Sequence, residues 1–220
     1  MTDDACGPRS ALRKDAERNR QRILEAAREL FALRGLEATL NDVAHFAGVG
    51  VGTVYRRFAT KDELLEAIFE DSIDQIVELA KKALQIEHSW DAFAWFVEHV
   101  CELTATDRGL REMICSRAYG GYRVECARLQ LDPHISQIVA RARDDGHLRP
   151  EVQSSDIPVV NLLAGTVSEY AGHVEPELWR RYVALLLDGM RAQPGQRPIA
   201  VDALDDRQMD EAMKGWHPAG

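Results

Sequence analysis

Gly50, Val51, Thr53, Tyr55 and Arg56 fall in one stretch, G-V-G-T-V-Y-R-R-F, with Thr39 upstream and Lys61 just downstream. A hydroxyl, a phenol, a guanidinium and a small branched side chain on the first turns of one helix suit noncovalent recognition of a duplex. Thr53 can hydrogen-bond a base edge, Val51 can touch a thymine methyl, and Arg56 can reach a phosphate or a guanine edge. Thr39 and Lys61 stand at or beside helix N-termini, where free N–H groups favour an anion, so both are expected to position a phosphate. Bond-breaking chemistry has no comparable signal. The chain carries no nucleophile elbow, no H-E-x-x-H and no paired Cys or His at metal-ligand spacing. G-V-G-V-G is not a nucleotide loop, because no strand precedes it and the glycines lack G-x-G-x-x-G spacing.

The elements that must carry these side chains are legible from the same stretch. Thr39, with Asp42 three residues on, makes a capping box for a short helix whose buried side is Val43, Ala44 and Ala47. Gly48 permits the turn, and Val54 returns an apolar side chain from a second helix running from about Val51 to Phe58. Upstream, Ile23, Ala26, Ala27, Leu30 and Phe31 have the spacing of a one-sided helix that Gly35 ends. Downstream, Thr60 and Glu63 form a second capping box. Two short helices joined by a tight turn and flanked in this way read as a helix-turn-helix.

Phe31, Gly35, Thr39, Ala44, Ala47, Gly48, Val49, Gly52, Tyr55, Phe58, Lys61 and Leu64 together resemble the DNA-binding domain of the tetracycline-repressor (TetR) family over residues 18–69. The resemblance implies a homodimeric repressor that binds a pseudo-palindromic double-stranded DNA operator and is released by a small, partly apolar effector. It implies no cofactor and no metal. Gly50 departs from the family, which usually carries Ser or Thr there, and Val51 stands where the family is often polar or charged. The cap of the second helix is therefore weaker, and fewer hydrogen-bonding groups face the bases.

Net charge is −9, but it is unevenly spread. Residues 1–62 carry eleven Lys and Arg against nine Asp and Glu, leaving sixteen against twenty-seven for the remainder. The acidic part must face away from DNA. Arg9, Arg13, Lys14, Arg18, Arg20 and Arg22 either form a basic arm along phosphates or are a solvated helix face. No apolar run approaches the length of a membrane span, and the start is acidic where a signal peptide would be basic then apolar, so a cytoplasmic protein without a membrane partner is expected. Cys6, Cys101, Cys115 and Cys126 form no C-x-x-C pair and suit a reducing compartment.

The rest of the chain is helical in pattern, giving an all-α protein of about nine to ten helices. A helix of roughly 25 residues starts at Asp62 and links the two parts. Ser89 is expected to cap the next helix, Arg108–Tyr119 forms another that Gly120 and Gly121 halt, and Tyr122–Leu131 precedes a separate helix opened by Asp132 and Pro133. Ser155 is expected to cap a helix apolar on nearly all sides, and Pro176 opens the last strong one. Pairing of helices at about 155–173 and 177–191 with their copies would close a four-helix bundle. The alternative is that both are core helices of a monomer. The domain reading is a basic mobile arm over 1–17, a helix-turn-helix domain over 18–62, a regulatory and dimerisation domain over 63–192 and a flexible tail over 193–220. Trp95, Phe96, His99, Met113, Arg117, Tyr119, Tyr122, Tyr170 and His173 are candidates for an effector cavity, with plain core as the alternative for each. Two rival functions stay open: a thiol-switched regulator using Cys101, Cys115 or Cys126, and a DNA-binding head fused to an enzyme.

Overall fold

The computed structural model describes residues 8–115 and 122–215, and every regular element among them is helical. In chain order these are α1 (Pro8–Arg34), a 3-10 turn (Gly35–Glu37), α2 (Leu40–Phe46), α3 (Val51–Tyr55), α4 (Lys61–Gln85), α5 (Ser89–Ala105), α6 (Arg108–Cys115), α7 (Tyr122–Asp144), α8 (Asp156–Ala171), α9 (Leu178–Met190) and α10 (Asp206–Gly215). The fold is all-α, as the periodicity predicts. Among the described residues no helix is long and apolar enough to cross a membrane.

Two apolar cores form, and α4 serves both. The front core gathers Ile23, Leu30 and Phe31 of α1, Val43 and Ala44 of α2, Val54 of α3 and Leu64 to Ile73 of α4, with Leu110 and Met113 of α6. The rear core begins on the same helix at Ile76 and takes in Phe93, Phe96, Val97, Ile138, Val160, Trp179 and Val183. Packing thus changes hands within α4, between Ile73 and Ile76. The rear end of α4 is held by Arg141 of α7, whose guanidinium donates to the carbonyls of Leu84 at 3.0 Å and Ile86 at 2.9 Å. A cation there satisfies carbonyls that have no partner within the helix and opposes the negative end of its dipole.

Several local expectations are corrected. The arm expected over 1–17 is helical from Pro8, because proline suits a first turn and no glycine or further proline interrupts residues 9–34. The two helices expected on either side of Asp132 are one. Pro133 lies inside α7, and the Leu129 carbonyl that its missing N–H leaves behind is beside a residue 60% exposed, where water can serve it. Ser89 does not cap α5. The cap is His88, whose ring nitrogen accepts from Asp91 N at 3.4 Å, while the buried Ser89 hydroxyl bonds His147 Nδ1 at 3.0 Å. Ser155 stands at the start of α8 but makes no cap bond; its hydroxyl donates to Leu204 O at 2.7 Å.

That last contact belongs to the segment expected as a flexible tail. Up to Gly215 it makes contacts with the body: Arg149 Nη2 donates to Arg197 O at 2.6 Å, and α10 borders, with α7 and α8, a cavity of about 270 Å³ lined by Ile135, Pro158, Met209 and Met213. Backbone acceptors on the tail find donors on the body that sequence spacing does not reveal.

Candidate nucleic-acid interface

The entry to α2 is a complete capping box. Thr39 Oγ1 accepts from Asp42 N at 3.2 Å, and Asp42 Oδ2 accepts from Thr39 N at 2.8 Å. The Thr39 hydroxyl and N–H together hold the Asp42 carboxyl below the usual carboxylate range. The turn closes with Val49 N donating to Ala44 O at 3.0 Å and Gly48 N to His45 O at 3.1 Å. Gly48 has φ of +64°, a conformation that a side chain would strain, and the site of its absent Cβ lies 3.3 Å from the Arg22 guanidinium. α3 then starts at Gly50 with no side-chain cap, as the glycine there implies, and Val54 is fully buried beneath it.

This anchoring decides what faces outward. Val51 and Tyr55, one turn apart, are 45% and 47% exposed, and Phe46 at the end of α2 is 43% exposed. Arg56 is exposed, with Nε donating to Gly52 O at 3.1 Å and Nη2 to Thr53 Oγ1 at 3.3 Å. Gly52 has no positive φ, and a Cβ there would meet nothing within 4 Å, so neither backbone nor packing demands glycine. Arg57 is exposed as well, and Arg20 lies 5.9 Å from the centre of the Phe58 ring. Phe46 and Arg57 are exposed residues of this region that the sequence reading does not single out, whereas Gly52 is read there only as part of the family resemblance.

Lys61 makes a contact within the protein that its sequence position does not indicate. At the start of α4 its ammonium donates to the carbonyl of Leu36, in the 3-10 turn ahead of α2. Partial burial lowers its pKa below the ordinary lysine value, against the raising influence of Glu37 and Asp62. Thr60 accepts from Glu63 N at 3.1 Å, while the Glu63 carboxylate accepts from Ala59 N at 2.7 Å, one residue before the box expected.

Of the nine candidate effector residues, the six whose side chains are described do not line one cavity together. Phe96 and Met113 are fully buried in the rear and front cores respectively, because α5 turns Phe96 inward and α6 seats Met113 under α1. Tyr170 is 83% exposed, and His173 is exposed beyond the end of α8. Trp95 stacks on His99 at 4.0 Å between ring centres, and His99 Nδ1 donates to Trp95 O at 2.7 Å. His99 does line a cavity of about 470 Å³ between α4 and α5, with Leu79, Leu103, Glu78 and Lys82. Arg117 and Tyr119 lie outside the described residues, as does the side chain of Tyr122. Among the described residues no group of His, Cys, Asp and Glu could hold a metal ion.

A three-helix front with this turn and this exposed face defines a helix-turn-helix DNA-binding transcription regulator. The family described as bacterial regulatory proteins, tetR family, matches residues 23–68, and the SbtR-like transcriptional regulator C-terminal domain matches residues 88–192. The chain belongs to the TetR family. It is 38% identical over 79 residues to an HTH-type transcriptional regulator of Staphylococcus aureus, covering 36% of this chain and 43% of that protein. The chain thus spans less than half the length of the curated relatives it matches. A TetR transcription regulatory protein from Mycobacterium vanbaalenii is 30% identical, with 82% of this chain and 99% of that one covered and a TM-score of 0.48. The regulator FadR from Bacillus subtilis, solved with stearoyl-CoA, has the same fold: TM-score 0.56 at 17% identity, covering 77% of this chain and 98% of that one.

Proposed function

We propose that the chain is a homodimeric cytoplasmic repressor that seats two copies of α3 in successive major grooves of a pseudo-palindromic operator and lets go when a small, partly apolar molecule binds. The observation that carries this reading is an exposed apolar face on two neighbouring helices. Val159, Leu163 and Tyr170 of α8 and Tyr182 and Leu185 of α9 are 41–83% exposed. A contiguous face of this kind is covered by a twofold copy of itself, which closes a four-helix bundle and fixes the spacing of the two heads. Thr39, Gly50, Val51, Thr53, Tyr55 and Arg56 make the contact to DNA, with Val51 and Tyr55 nearest the bases. Lys61 contributes by holding Leu36.

The α4–α5 cavity at His99 is the seat of the effector. It adjoins the rear half of α4, so a ligand that fits one inclination of that helix better than another shifts the population by its differential affinity. A coupling of about 1–3 kcal/mol lowers operator affinity roughly 5- to 150-fold.

The thiol-switched alternative is disfavoured for Cys101 and Cys115 by their surroundings and rests on Cys126, which is free and only partly buried. Cys101 is fully buried and its Sγ lies 3.1 Å from Asn161 Oδ1, and Cys115 is 3% exposed. Burial pushes the Cys101 thiol up to about 12, far from the reactive thiolate.

The test is a duplex selected from a random library by the wild-type protein, followed by gel shift with Tyr55→Ala. Weakened binding with the dimer intact is expected. Failure of the wild-type protein to enrich any duplex with salt-sensitive affinity overturns the reading. A thermal-shift screen of partly apolar molecules, repeated with that duplex, identifies the effector class.

A further inference from the structure

We infer that Glu112 of α6 is a positioning residue for DNA binding: its buried carboxylate fixes the Leu36 peptide, and through it the angle at which α2 and α3 are presented. This rests on the reading of the chain as a DNA-binding regulator and deepens it.

Glu112 is 1% exposed, so its charge depends on directed donors. It has two, from different elements. Oε2 accepts from Leu36 N at 2.5 Å, and Oε1 accepts from Arg108 Nε at 2.7 Å. The approach is possible because Gly35 has no side chain. A Cβ at Gly35 would stand 2.2 and 2.6 Å from the two carboxylate oxygens, and φ there is +70°. Both backbone and space therefore demand glycine at this corner.

The other side of the same residue is held from the next helix. Leu36 O accepts from Lys61 at the first position of α4, so Leu36 is gripped at its N–H by α6 and at its C=O by α4. Three residues further on is Thr39, the cap that starts α2. The reading head is thus hung from a residue whose orientation α6 and α4 set jointly.

α6 is in turn tied to α8. Arg111, 4% exposed, donates to the carbonyls of Thr104 at 3.0 Å and Ala105 at 3.3 Å and pairs with Glu169 of α8. It passes across Gly165, where a Cβ would lie 2.3 Å from Arg111 Cδ. Gly109, between these side chains, packs on Phe31 of α1 at 2.9 Å from the site of its absent Cβ. One short helix thereby links the apolar face of α8 to the corner from which α2 hangs, through polar contacts whose geometry is narrow.

The experiment uses the full-length protein and the selected duplex. Glu112→Gln keeps the shape but sets an amide N–H₂ against Arg108 and weakens the bond to Leu36; Lys61→Met removes the grip on the carbonyl. Each is expected to raise the operator Kd by tenfold or more at a temperature where both proteins remain folded dimers. The double variant should cost less than the product of the two, because both act on one residue. Lys61→Met should leave the slope of affinity against salt unchanged, whereas loss of a phosphate contact would reduce it by about one ion. Unchanged operator affinity in Glu112→Gln with a lowered Tm overturns the inference and assigns the carboxylate to stability alone. Multiplicative effects with a reduced salt slope for Lys61→Met overturn it too. Should Glu112→Gln fail to fold, Glu112→Asp, which keeps the charge but draws it back from Leu36 N, takes its place, and unchanged operator affinity in it overturns the inference. If the wild-type protein enriches no duplex, it is the DNA-binding reading that has failed, and the inference falls with it.

Discussion

Arg56 is folded back onto Thr53: its Nη2 donates to the threonine hydroxyl at 3.3 Å, and its Nε to Gly52 O at 3.1 Å. The Arg56 guanidinium is held along α3 by its own neighbours, so in the proposed DNA complex both side chains would act at one place. Arg56→Ala is expected to cost about 1–3 kcal/mol of operator affinity and to relax preference at one base position. Thr53→Val, which leaves the guanidinium and its bond to Gly52 O but removes the hydroxyl tether, should change preference at that same position. Gel shifts over a panel of single-base operator variants check this. A uniform loss across the panel would place Arg56 on a phosphate instead.

Gly52 separates stability from function. Neither φ nor packing requires glycine there, so Gly52→Ala is expected to stabilise the folded protein by about 0.4–1 kcal/mol. On the face opposed to a duplex the same methyl should weaken operator binding. Denaturant unfolding and gel shift on one preparation give both numbers, and a rise in stability with unchanged affinity would turn Gly52 away from the DNA.

Leu163 of α8 and Leu185 of α9 are 47% and 56% exposed. Leu163→Glu or Leu185→Glu places a charge in a dry interface if two chains meet there. Light scattering after size exclusion should show the mass of one chain, with helical content retained. Either variant remaining at twice that mass removes α8 and α9 from the interface.

Cys101 gives a pH prediction whose sign follows from its burial. The folded thiol is pushed up to about 12 from an ordinary value of 9.0, so the folded state holds the proton after the unfolded chain has lost it. The stabilisation is full below about pH 9 and is lost as pH rises from there towards 12. Thermal unfolding between pH 8 and 11 should show a steeper alkaline decline in the wild-type protein than in Cys101→Ala. Iodoacetamide at neutral pH should leave Cys101 unmodified in the folded protein, and rapid alkylation would reopen the thiol-switched alternative.

The front of the molecule was legible because its determinants are local. A threonine and an aspartate three apart, a glycine at a turn and apolar side chains at helical spacing lie within one short stretch, and the capping box and the positive φ of Gly48 follow from them. The grip on Leu36 was not legible: Glu112 lies 76 residues away, and Lys61 reads from sequence as a lone cation at a helix start. Two of the effector candidates are core for a related reason. Aromatic residues and Met at helical spacing look alike whether they face a cavity or a core, and Phe96 and Met113 face the latter. The bonds that dock the tail, such as Ser155 to Leu204, depend on backbone carbonyls, which carry no sequence signal.

α4 packs its first half into the front core and its second half into the rear one, with no glycine or proline between Lys61 and Gln85. Such an unbroken rod acts as a lever. At 1.5 Å per residue it is roughly 37 Å long, so tilting it by about 5° about its rear end sweeps the opposite tip through about 3 Å. That is most of the distance between neighbouring strands of a sheet, or about one base-pair step. A rearrangement too slight to disturb the rear packing is therefore magnified at the front tip of the rod, and in the proposed dimer on DNA that displacement would pull the two heads out of register.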